Sequence, residues 1–399
     1  MISYNAMFSK ITNLFKKIIN RIARDTITFL TKRRPNRILL MQESPSGSNS
    51  YALWKINNSD IKKKFDLILA KEWELNQSGF FNFVEKHKLI SSAQLIITTH
   101  ASYKPSKKHL HLQLWHGALI KKNGIMIDGE NHGMLTNKNS WRKSDYIMSY
   151  SDTYTTFVNA CMVTSSSKYI VTGAPRNDFL YAADGQSNLS KIYGERILEN
   201  KIIYFLPTFR DNTTKKNATK KLGNLFGFEK FSLQDFDKFL CNNKCQLIYK
   251  PHPEEEVIAL NTIRDYGLQN IAILNNNDLI ENSIDLYELL SSCDILLTDY
   301  SSVFYDYLLL DRPIIFAPVD IEKYKKMRGF LLESFDDWTP GPKVYSQRDL
   351  QKEISRCLKD NNYYKDKRNL IKNLMHRFKD GESSYRMWSF IESIMMKKT

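Results

Sequence analysis

The stretch Asp294-Ile-Leu-Leu-Thr-Asp-Tyr-Ser-Ser302 decides the fold. Its first half is an apolar run that ends at Thr298, which is typical of a strand covered on both faces of a parallel sheet. A polar turn follows, and a helical pattern covers Val303–Leu310. Ser301 or Ser302 is expected to cap this helix, whose first amides would then suit a phosphate group. An ordinary capped turn is the alternative.

The same strand–turn–helix unit recurs on both sides of this stretch. Eleven apolar runs are separated by polar turns and, in many cases, by helical patterns such as Ile284–Ser292. This alternation predicts an α/β protein with parallel sheets and crossover helices. The predicted strands are Arg37–Gln42, Phe65–Ala70, Gln94–Thr99, His109–Trp115, Tyr146–Tyr150, Tyr169–Thr172, Lys201–Leu206, Gln246–Tyr249, Ile271–Leu274, Asp294–Thr298 and Pro313–Ala317.

A length of 399 residues fits two domains with separate cores. The polar segment 182–190 is the best boundary between them, because it combines Asp-Gly and Ser-Asn pairs. We therefore expect two doubly wound halves, over residues 35–181 and 191–360, that face each other across a cleft. Residues 361–399 are predicted to be helices that close the chain.

The beginning of the chain has a different character. The net charge is +15, and residues 1–34 contribute eight lysines and arginines against the single acid Asp25. Apolar residues recur there at three- and four-residue steps, which predicts a basic amphipathic helix lying at an anionic membrane surface. A helix packed on the protein's own core is the alternative. No run of 18 apolar residues and no secretory signal is found. The stripe consists of Met7, Phe8, Ile11, Leu14, Phe15, Ile18 and Ile22.

Two loops that follow predicted strands in the second half carry phosphate-binding chemistry. Thr208 and Arg210 lie in the first, and a guanidinium group binds two phosphate oxygens at once. In the second, two prolines flank His252 and fix its exit direction, while Lys250 adds positive charge. Solvated surface loops are the alternative, and it is the stronger one for Arg210.

In the first half, chemistry is expected at the end of the strand His109–Trp115. His116 follows that strand and is predicted to transfer a proton, and Gly117 permits close approach of backbone and substrate. The later segment Gly-Ala-Pro-Arg-Asn-Asp again follows a strand, so Arg176 and Asp178 are expected to point toward the cleft. A domain-closing turn is the alternative there.

Other site classes are disfavoured. A zinc site at His109 and His111 lacks a nearby carboxylate or cysteine to complete it, and Cys241 and Cys245 have no second ligand pair. The five cysteines are odd in number and scattered, which fits a reducing compartment. The nucleophile elbow of hydrolases and the Walker and dinucleotide glycine fingerprints are absent from the sequence.

Six motifs in order resemble the CDP-glycerol glycerophosphotransferase family, whose members build teichoic acids and related capsule polymers. The resemblance covers about residues 37–350, and six short motifs in register are far more specific than any one of them. The matching pieces are Gln113-Leu-Trp-His-Gly117, Gly173-Ala-Pro-Arg-Asn-Asp178, Pro207-Thr-Phe-Arg210, Lys250-Pro-His-Pro253, Asp299-Tyr-Ser-Ser302, and Arg328-Gly-Phe330 with Pro340-Gly-Pro342.

The resemblance implies a GT-B-like fold, with an acceptor site in the N-terminal half and a donor site in the C-terminal half. His116 and His252 are the catalytic candidates: His116 resembles the base, and His252 resembles a donor-phosphate binder, as do Ser301 and Ser302. The other candidates are Thr208, Arg210, Lys250 and Asp299 on the donor side, and Trp115, Gly117, Arg176 and Asp178 on the acceptor or cleft side.

The resemblance also implies the partners. These are a CDP-activated polyol and a lipid-linked or polymeric acceptor. The basic N-terminal helix adds an anionic membrane surface as a partner. We expect no cofactor and no essential metal, and no nucleic acid because zinc-finger and RNA-recognition signatures are missing from the sequence. We expect a peripheral protein at the cytoplasmic face of the membrane. The longer polymerases of the family carry a large domain before the catalytic part that this sequence lacks, which keeps a single-addition, priming role open. A ribitol phosphate donor, a nucleotide-sugar transferase of the same fold and a nucleic-acid binder are the alternatives.

Overall fold

The computed structural model describes residues 4–127, 141–208, 225–251 and 255–397, without the side chains of residues 4–11, 13, 14 and 16. Each of the eleven predicted runs overlaps a strand. The fourth strand is shorter than predicted, because Trp115 has a positive φ of 53° and turns the chain away from the sheet. The strands are β1 (Arg34–Gln42), β2 (Asp66–Lys71), β3 (Ala93–Thr98), β4 (Leu110–Gln113), β5 (Tyr146–Ser149), β6 (Tyr169–Val171), β7 (Lys201–Phe205), β8 (Cys245–Tyr249), β9 (Ile271–Ile273), β10 (Ile295–Thr298) and β11 (Ile314–Phe316).

These strands form two sheets whose neighbours are all parallel. The first has six strands in the order β2-β1-β3-β4-β5-β6, and the second has five in the order β11-β10-β7-β8-β9. In each sheet the chain first moves to one side of its opening strand and later returns to the other side. The resulting switch points, between β1 and β3 and between β7 and β10, are where ligands bind in open α/β sheets. We call the part of the chain that carries β1–β6 the N-terminal lobe and the part that carries β7–β11 the C-terminal lobe.

Helices connect most of the strands, as expected for parallel pairing, whereas β3 and β4 are joined by the loop 99–109. The segment 182–190, predicted to be a polar boundary, is largely helical, because the Asp184 carboxylate accepts a hydrogen bond from the Ser187 amide and starts α8. The helices are α1 (Tyr4–Leu30), α2 (Asn49–Lys55), α3 (Ser59–Lys64), α4 (Glu72–Leu75), α5 (Phe80–Ser92), α6 (Asp152–Met162), α7 (Phe179–Ala182), α8 (Gly185–Tyr193), α9 (Leu233–Asn242), α10 (Glu256–Asp265), α11 (Asn276–Glu281), α12 (Leu286–Leu290), α13 (Val303–Tyr307), α14 (Ile321–Met327), α15 (Phe335–Trp338), α16 (Gln347–Lys359), α17 (Lys365–Met375) and α18 (Ser383–Met396).

The two lobes share one large apolar core. Buried side chains of both sheets, such as Leu112 and Leu296, belong to the same cluster. The end of the chain also crosses back, because α18 packs on the N-terminal lobe and the Trp388 indole Nε1 donates to the Leu53 carbonyl at 3.0 Å. The shared core and the returning helix α18 thus join the two lobes.

The beginning of the chain forms the long helix α1, which lies beside α5. The Thr28 and Ser91 hydroxyl oxygens are 3.0 Å apart. Large apolar side chains of α1 remain exposed, among them Phe15, Ile18 and Ile22, whereas those of Met7, Phe8, Ile11 and Leu14 lie outside the described side chains. In the described part of the chain, none of the helices has the length and apolar character needed to span a bilayer.

Candidate active site

A small cavity lies at the switch point of the first sheet. Its volume is ≈ 180 Å³, and loops that leave the carboxyl ends of β1, β3, β4 and β6 line it. Ser46 and Gly47 come from the first loop, and His100, His116 and Arg176 come from the others. Four separate stretches of sequence are therefore brought together at one edge of the sheet.

His116 is placed in this cavity by the sharp turn at Trp115. Its Nδ1 atom lies 3.1 Å from the Thr99 carbonyl oxygen. A carbonyl only accepts, so Nδ1 carries the proton and the lone pair of Nε2 is left available. The ring lines the cavity, but protein atoms surround it and replace much of the water that would hydrate its charged form. This desolvation, together with the neighbouring His100, lowers the pKa of His116 well below 6.5. The side chain is thus neutral, in the form that accepts a proton.

A second imidazole, which our sequence analysis missed, lies on the face of the first. The rings of His100 and His116 are stacked with centroids 4.0 Å apart and an interplanar angle of 11°. Glu43 holds His100 in place, because its carboxylate accepts the His100 amide at 3.0 Å and lies 3.3 Å from Nδ1. The same carboxylate accepts the amide and hydroxyl of Thr99. Both residues directly follow strands, so the position-based reasoning that selected His116 could also have found them.

The switch point of the second sheet carries two of the predicted donor-side residues. The Asp299 carboxylate, after β10, accepts the backbone amide of Thr208, after β7, at 2.7 Å. Asp299 is buried, so it is a scaffold for the two loops and not an exposed ligand group. The structure thereby joins the turn after β10 to the loop that leads toward Arg210, which itself lies outside the described residues.

The two switch points meet at Gly117. A Cβ atom at this position would lie 2.8 Å from the Ser302 hydroxyl oxygen and 3.2 Å from a guanidinium nitrogen of Arg176. Only glycine allows this approach. A second contact lies nearby, where the Lys121 ammonium group donates to the Thr208 hydroxyl at 3.2 Å. The loop that carries His116 is therefore in direct contact with the turn that carries Ser302.

The predicted helix cap at this turn is wrong. Helix α13 begins at Val303, but Ser302 has φ −69° and ψ −7°, and no side-chain cap is formed. A capping side chain needs an extended backbone, which this residue does not have. Among the described residues, the hydroxyls of Ser301 and Ser302 make no hydrogen bond, and both side chains are half-buried at the lobe contact.

Arg176 joins the lobes. Its guanidinium group donates to the carbonyl oxygens of Gly47 and His116 at 2.9 and 2.8 Å, and to the Asp306 carboxylate of the C-terminal lobe at 2.6 Å. The guanidinium also lies over the Tyr287 ring, and both charged side chains are buried. Arg176 thus lines the cavity but is committed to protein contacts, which makes it a residue that positions the His116 loop.

Asp178 does not point toward the cleft as predicted. Its two carboxylate oxygens accept the backbone amides of Ser383 and Ser384, at 2.9 and 2.6 Å, at the start of α18. Unpaired amides at a helix start attract a carboxylate, which explains why this buried acid is satisfied there. Asp178 therefore anchors the C-terminal helix to the N-terminal lobe.

Lys250 is described, whereas His252 beside it falls outside the described residues. The Lys250 ammonium group donates to the Glu256 carboxylate at 2.9 Å and to the Asn276 side-chain oxygen at 2.8 Å. Burial lowers the pKa of Lys250, opposed by Glu256. Its charge is therefore already compensated within the C-terminal lobe.

The histidines of β4 have core roles. His111 is buried between the Thr98 and Ser144 hydroxyls, each 3.0 Å from a ring nitrogen, and His109 contacts the Ser91 carbonyl oxygen and the Ser106 hydroxyl. In the described residues, no group of three histidine, cysteine or acidic side chains is placed to hold a metal ion. The pattern of alternating histidines is thus accounted for by hydrogen bonds to Thr98 of β3 and to residues that flank the sheet.

Comparisons with known proteins agree with this architecture. The family model of CDP-glycerol:poly(glycerophosphate) glycerophosphotransferases matches residues 33–393. A teichoic acid glycerol-phosphate transferase of Staphylococcus aureus is 28% identical over 407 residues, covering 94% of this chain and 98% of that protein. A teichoic acid poly(glycerol phosphate) polymerase of Bacillus spizizenii is 27% identical over 389 residues, covering 90% and 93%. The solved structure of the wall teichoic acid polymerase TagF covers 99% of both chains, with a TM-score of 0.74 and 20% identity.

These matches define the class as GT-B-like transferases with two parallel-sheet lobes. The chain belongs to the CDP-glycerol:poly(glycerophosphate) glycerophosphotransferase family. The predictions of family, of fold class and of a transferase acting on a CDP-activated polyol are confirmed. The roles of individual site residues remain predictions.

Proposed function

We propose that this protein transfers glycerol phosphate from CDP-glycerol to a hydroxyl group of a membrane-linked, teichoic-acid-like or capsule polymer acceptor. The family match and the two similar proteins support the donor and the kind of acceptor. The single observation that carries the reaction is the placement of His116 in the cavity, where the Thr99 carbonyl holds Nδ1 and leaves the Nε2 lone pair available, next to the contact of Gly117 with Ser302. A proton acceptor thus lies at the junction of the two switch points.

In the proposed step, an acceptor hydroxyl oxygen attacks the β-phosphorus of the donor. The new phosphorus–oxygen bond forms as the bond to CMP breaks, and the hydroxyl proton passes to Nε2 of His116. The N-terminal lobe holds the acceptor and the C-terminal lobe holds the donor. Hydrogen-bond donors at the lobe contact offset charge on the transferring group: the hydroxyls of Ser301 and Ser302 and the Lys121 ammonium group. His252 and Arg210 are proposed to add donor-phosphate contacts.

The test is a donor panel. The purified protein is incubated with CDP-glycerol, CDP-ribitol and UDP-sugars, each with a glycerol-phosphate-primed lipid acceptor, and nucleotide release is followed. We expect CMP release from CDP-glycerol that depends on the acceptor. Release from CDP-ribitol alone would change the polyol, and release of UDP from a nucleotide sugar alone would contradict the proposal.

The pH dependence of the reaction follows from the lowered pKa of His116. A base acts in its neutral form, and a lowered pKa keeps the imidazole neutral to lower pH. We therefore expect that ionisation of His116 does not change kcat/KM for the acceptor between about pH 6.5 and 8. Protonation of His116 should lower kcat/KM only below pH 6.5. An acidic limb centred at or above pH 6.5 that disappears in His116→Ala would contradict this assignment.

We further propose that residues 1–34 hold the protein peripherally on an anionic membrane. The supporting surface is apolar, although it lies on the outside of the molecule: Ile19 and Ile22 of α1 are each 61% exposed. Helix α5, which packs alongside, starts with Phe80 and Phe81, and these are also exposed. Basic residues on the other faces of α1 add attraction to anionic lipids. Such a surface would bring the site to a lipid-linked acceptor.

Flotation with anionic vesicles tests this anchor. Ile22→Glu places a charge in the apolar stripe and is expected to release most of the protein from vesicles that contain phosphatidylglycerol. Asn20→Glu adds the same charge on the polar face, about 160° around the helix at 100° per residue. This control is expected to reduce binding much less. Equal retention of both variants, or full retention after deletion of residues 1–34, would exclude the anchor.

A further inference from the structure

A second cavity lies at the other end of β1 from His116. Its volume is ≈ 840 Å³, and it is formed where the end of α1 and the first residues of β1 meet the second half of α5. Arg34 and Arg37 near the start of β1 line this cavity, whereas the first cavity lies beyond Gln42, so about 17 Å of strand separates Arg37 from the end of β1 that faces the first cavity. The second cavity is thus a different place in the molecule, and the proposed reaction makes no use of it.

One wall of this cavity is apolar. Ile27 and Leu30 come from the last turn of α1, and Val84 and Leu89 come from α5. Leu30 is 74% exposed, so this wall is not sealed by the protein's own core. Leu30 follows the exposed Ile19 by eleven residues, which is about three helical turns, so the two side chains lie on the same side of α1.

The other wall is strongly basic. Four cationic side chains and the single acid Glu85 line the cavity. Arg37 is committed to the Asp66 carboxylate and the Ser92 hydroxyl. Lys32 has no ion pair among the described residues, and the exposed Arg34 approaches Asp66 only to 3.7 Å. Lys88 pairs with Glu85 along the exposed face of α5 at 3.3 Å, which is a weak contact. Lys32, Arg34 and Lys88 therefore leave an excess of positive charge.

We propose that this cavity binds one phosphorylated membrane lipid, with its phosphate between Lys32, Arg34 and Lys88 and its chain along Leu30, Val84 and Leu89. Charge complementarity selects an anion, and the apolar wall selects an anion that carries a chain. A free phosphate would leave that wall exposed to water. The volume is in the range that small-molecule sites occupy. The inference rests on the proposed position of the protein at a membrane. It adds one saturable lipid site to a helix surface that otherwise binds lipids through nonspecific apolar and electrostatic attraction.

Calorimetric titration with dihexanoyl-phosphatidylglycerol, kept below its micelle concentration, tests the site on the full chain. We expect saturable binding of one lipid per protein, and binding of glycerol phosphate and inorganic phosphate at least tenfold weaker. Lys88→Glu is expected to weaken lipid binding about tenfold or more, because it removes one attractive charge near the anionic headgroup and adds a repulsive one. Lys32→Glu should act similarly.

Lys352→Glu on α16 is the matched control, since it makes the same charge change at an exposed helical lysine of the C-terminal lobe. An equal effect of Lys352→Glu and Lys88→Glu would overturn the site in favour of a general field. Binding of inorganic phosphate as tight as that of the lipid would reduce it to an anion site.

The outcomes separate this inference from the proposed function. Vesicle release by Ile22→Glu without any effect of Lys88→Glu would keep the anchor and remove the lipid site. Conversely, lipid binding that depends on Lys88 in a protein that releases no CMP from CDP-glycerol would keep the site and remove the proposed reaction. Lys88→Glu is expected to leave CMP release with a water-soluble acceptor unchanged.

Discussion

His116→Ala is expected to lower the turnover of CMP release by roughly 10²- to 10⁴-fold, the range typical of a lost general base. The reason is geometric: His116 lines the cavity, and the Thr99 carbonyl holds the Nδ1 proton, which leaves the lone pair of Nε2 to accept a proton. The backbone carbonyl that Arg176 binds is kept in the variant. Donor binding should therefore remain largely intact. Rapid-quench turnover measurements and equilibrium binding of CDP-glycerol check the two halves of this expectation.

His87→Ala is the matched control for this loss. It removes a histidine from α5, outside the cavity that His116 lines, and should leave turnover within a factor of about two. If His116→Ala kept its turnover, another group would have to take the proton. His100 would be the first to test, since its ring is stacked on His116 and Glu43 fixes it. If His116→Ala lost donor binding as well as turnover, His116 would instead be a residue that binds the donor.

Arg176→Ala is expected to cost about 3–5 kcal/mol of stability, which is the effect of leaving one partner of a buried ion pair uncompensated. The Asp306 carboxylate is buried, and the guanidinium group at 2.6 Å is its cationic partner, beside neutral donors from Tyr287 and Asn177. The same substitution frees the carbonyls of Gly47 and His116, so turnover should fall as well. Urea unfolding of the full chain measures the stability, with the shift of the midpoint as the readout.

Two further variants keep the Arg176 prediction specific. Lys201→Ala breaks an exposed ion pair with Asp294 and should cost about 0.2–1 kcal/mol. Adding Asp306→Asn to Arg176→Ala removes the buried charge and should recover part of the loss. A double variant as unstable as Arg176→Ala alone would show that lost packing, and not an unpaired carboxylate, causes the destabilisation.

Much of the candidate site could be predicted from position along the chain. Parallel strands present their carboxyl ends at one edge of a sheet, so residues such as His116, Thr208 and Ser302, each following a predicted strand, were expected near a ligand. The same reasoning reached Asp178, whose predicted direction is wrong, and Lys250, whose donor-side role stays a prediction. Each makes its contacts with a distant or later segment, the start of α18 for Asp178 and α10 for Lys250. The position of a residue after a strand predicts the edge of the sheet at which it lies. It does not predict which buried group will pair with its charge.

The sequence by itself determined the eleven strands, the parallel sheets and the family, because apolar periodicity and short motifs are local properties. Tertiary structure alone decided which loops meet. In the folded chain His100 stacks on His116, and Arg176 forms an ion pair with Asp306 of the other lobe. Gly117 lies in contact with Ser302. These contacts join residues from different strands and lobes, and the free energy that selects them comes from burial of a shared core, which no local pattern encodes.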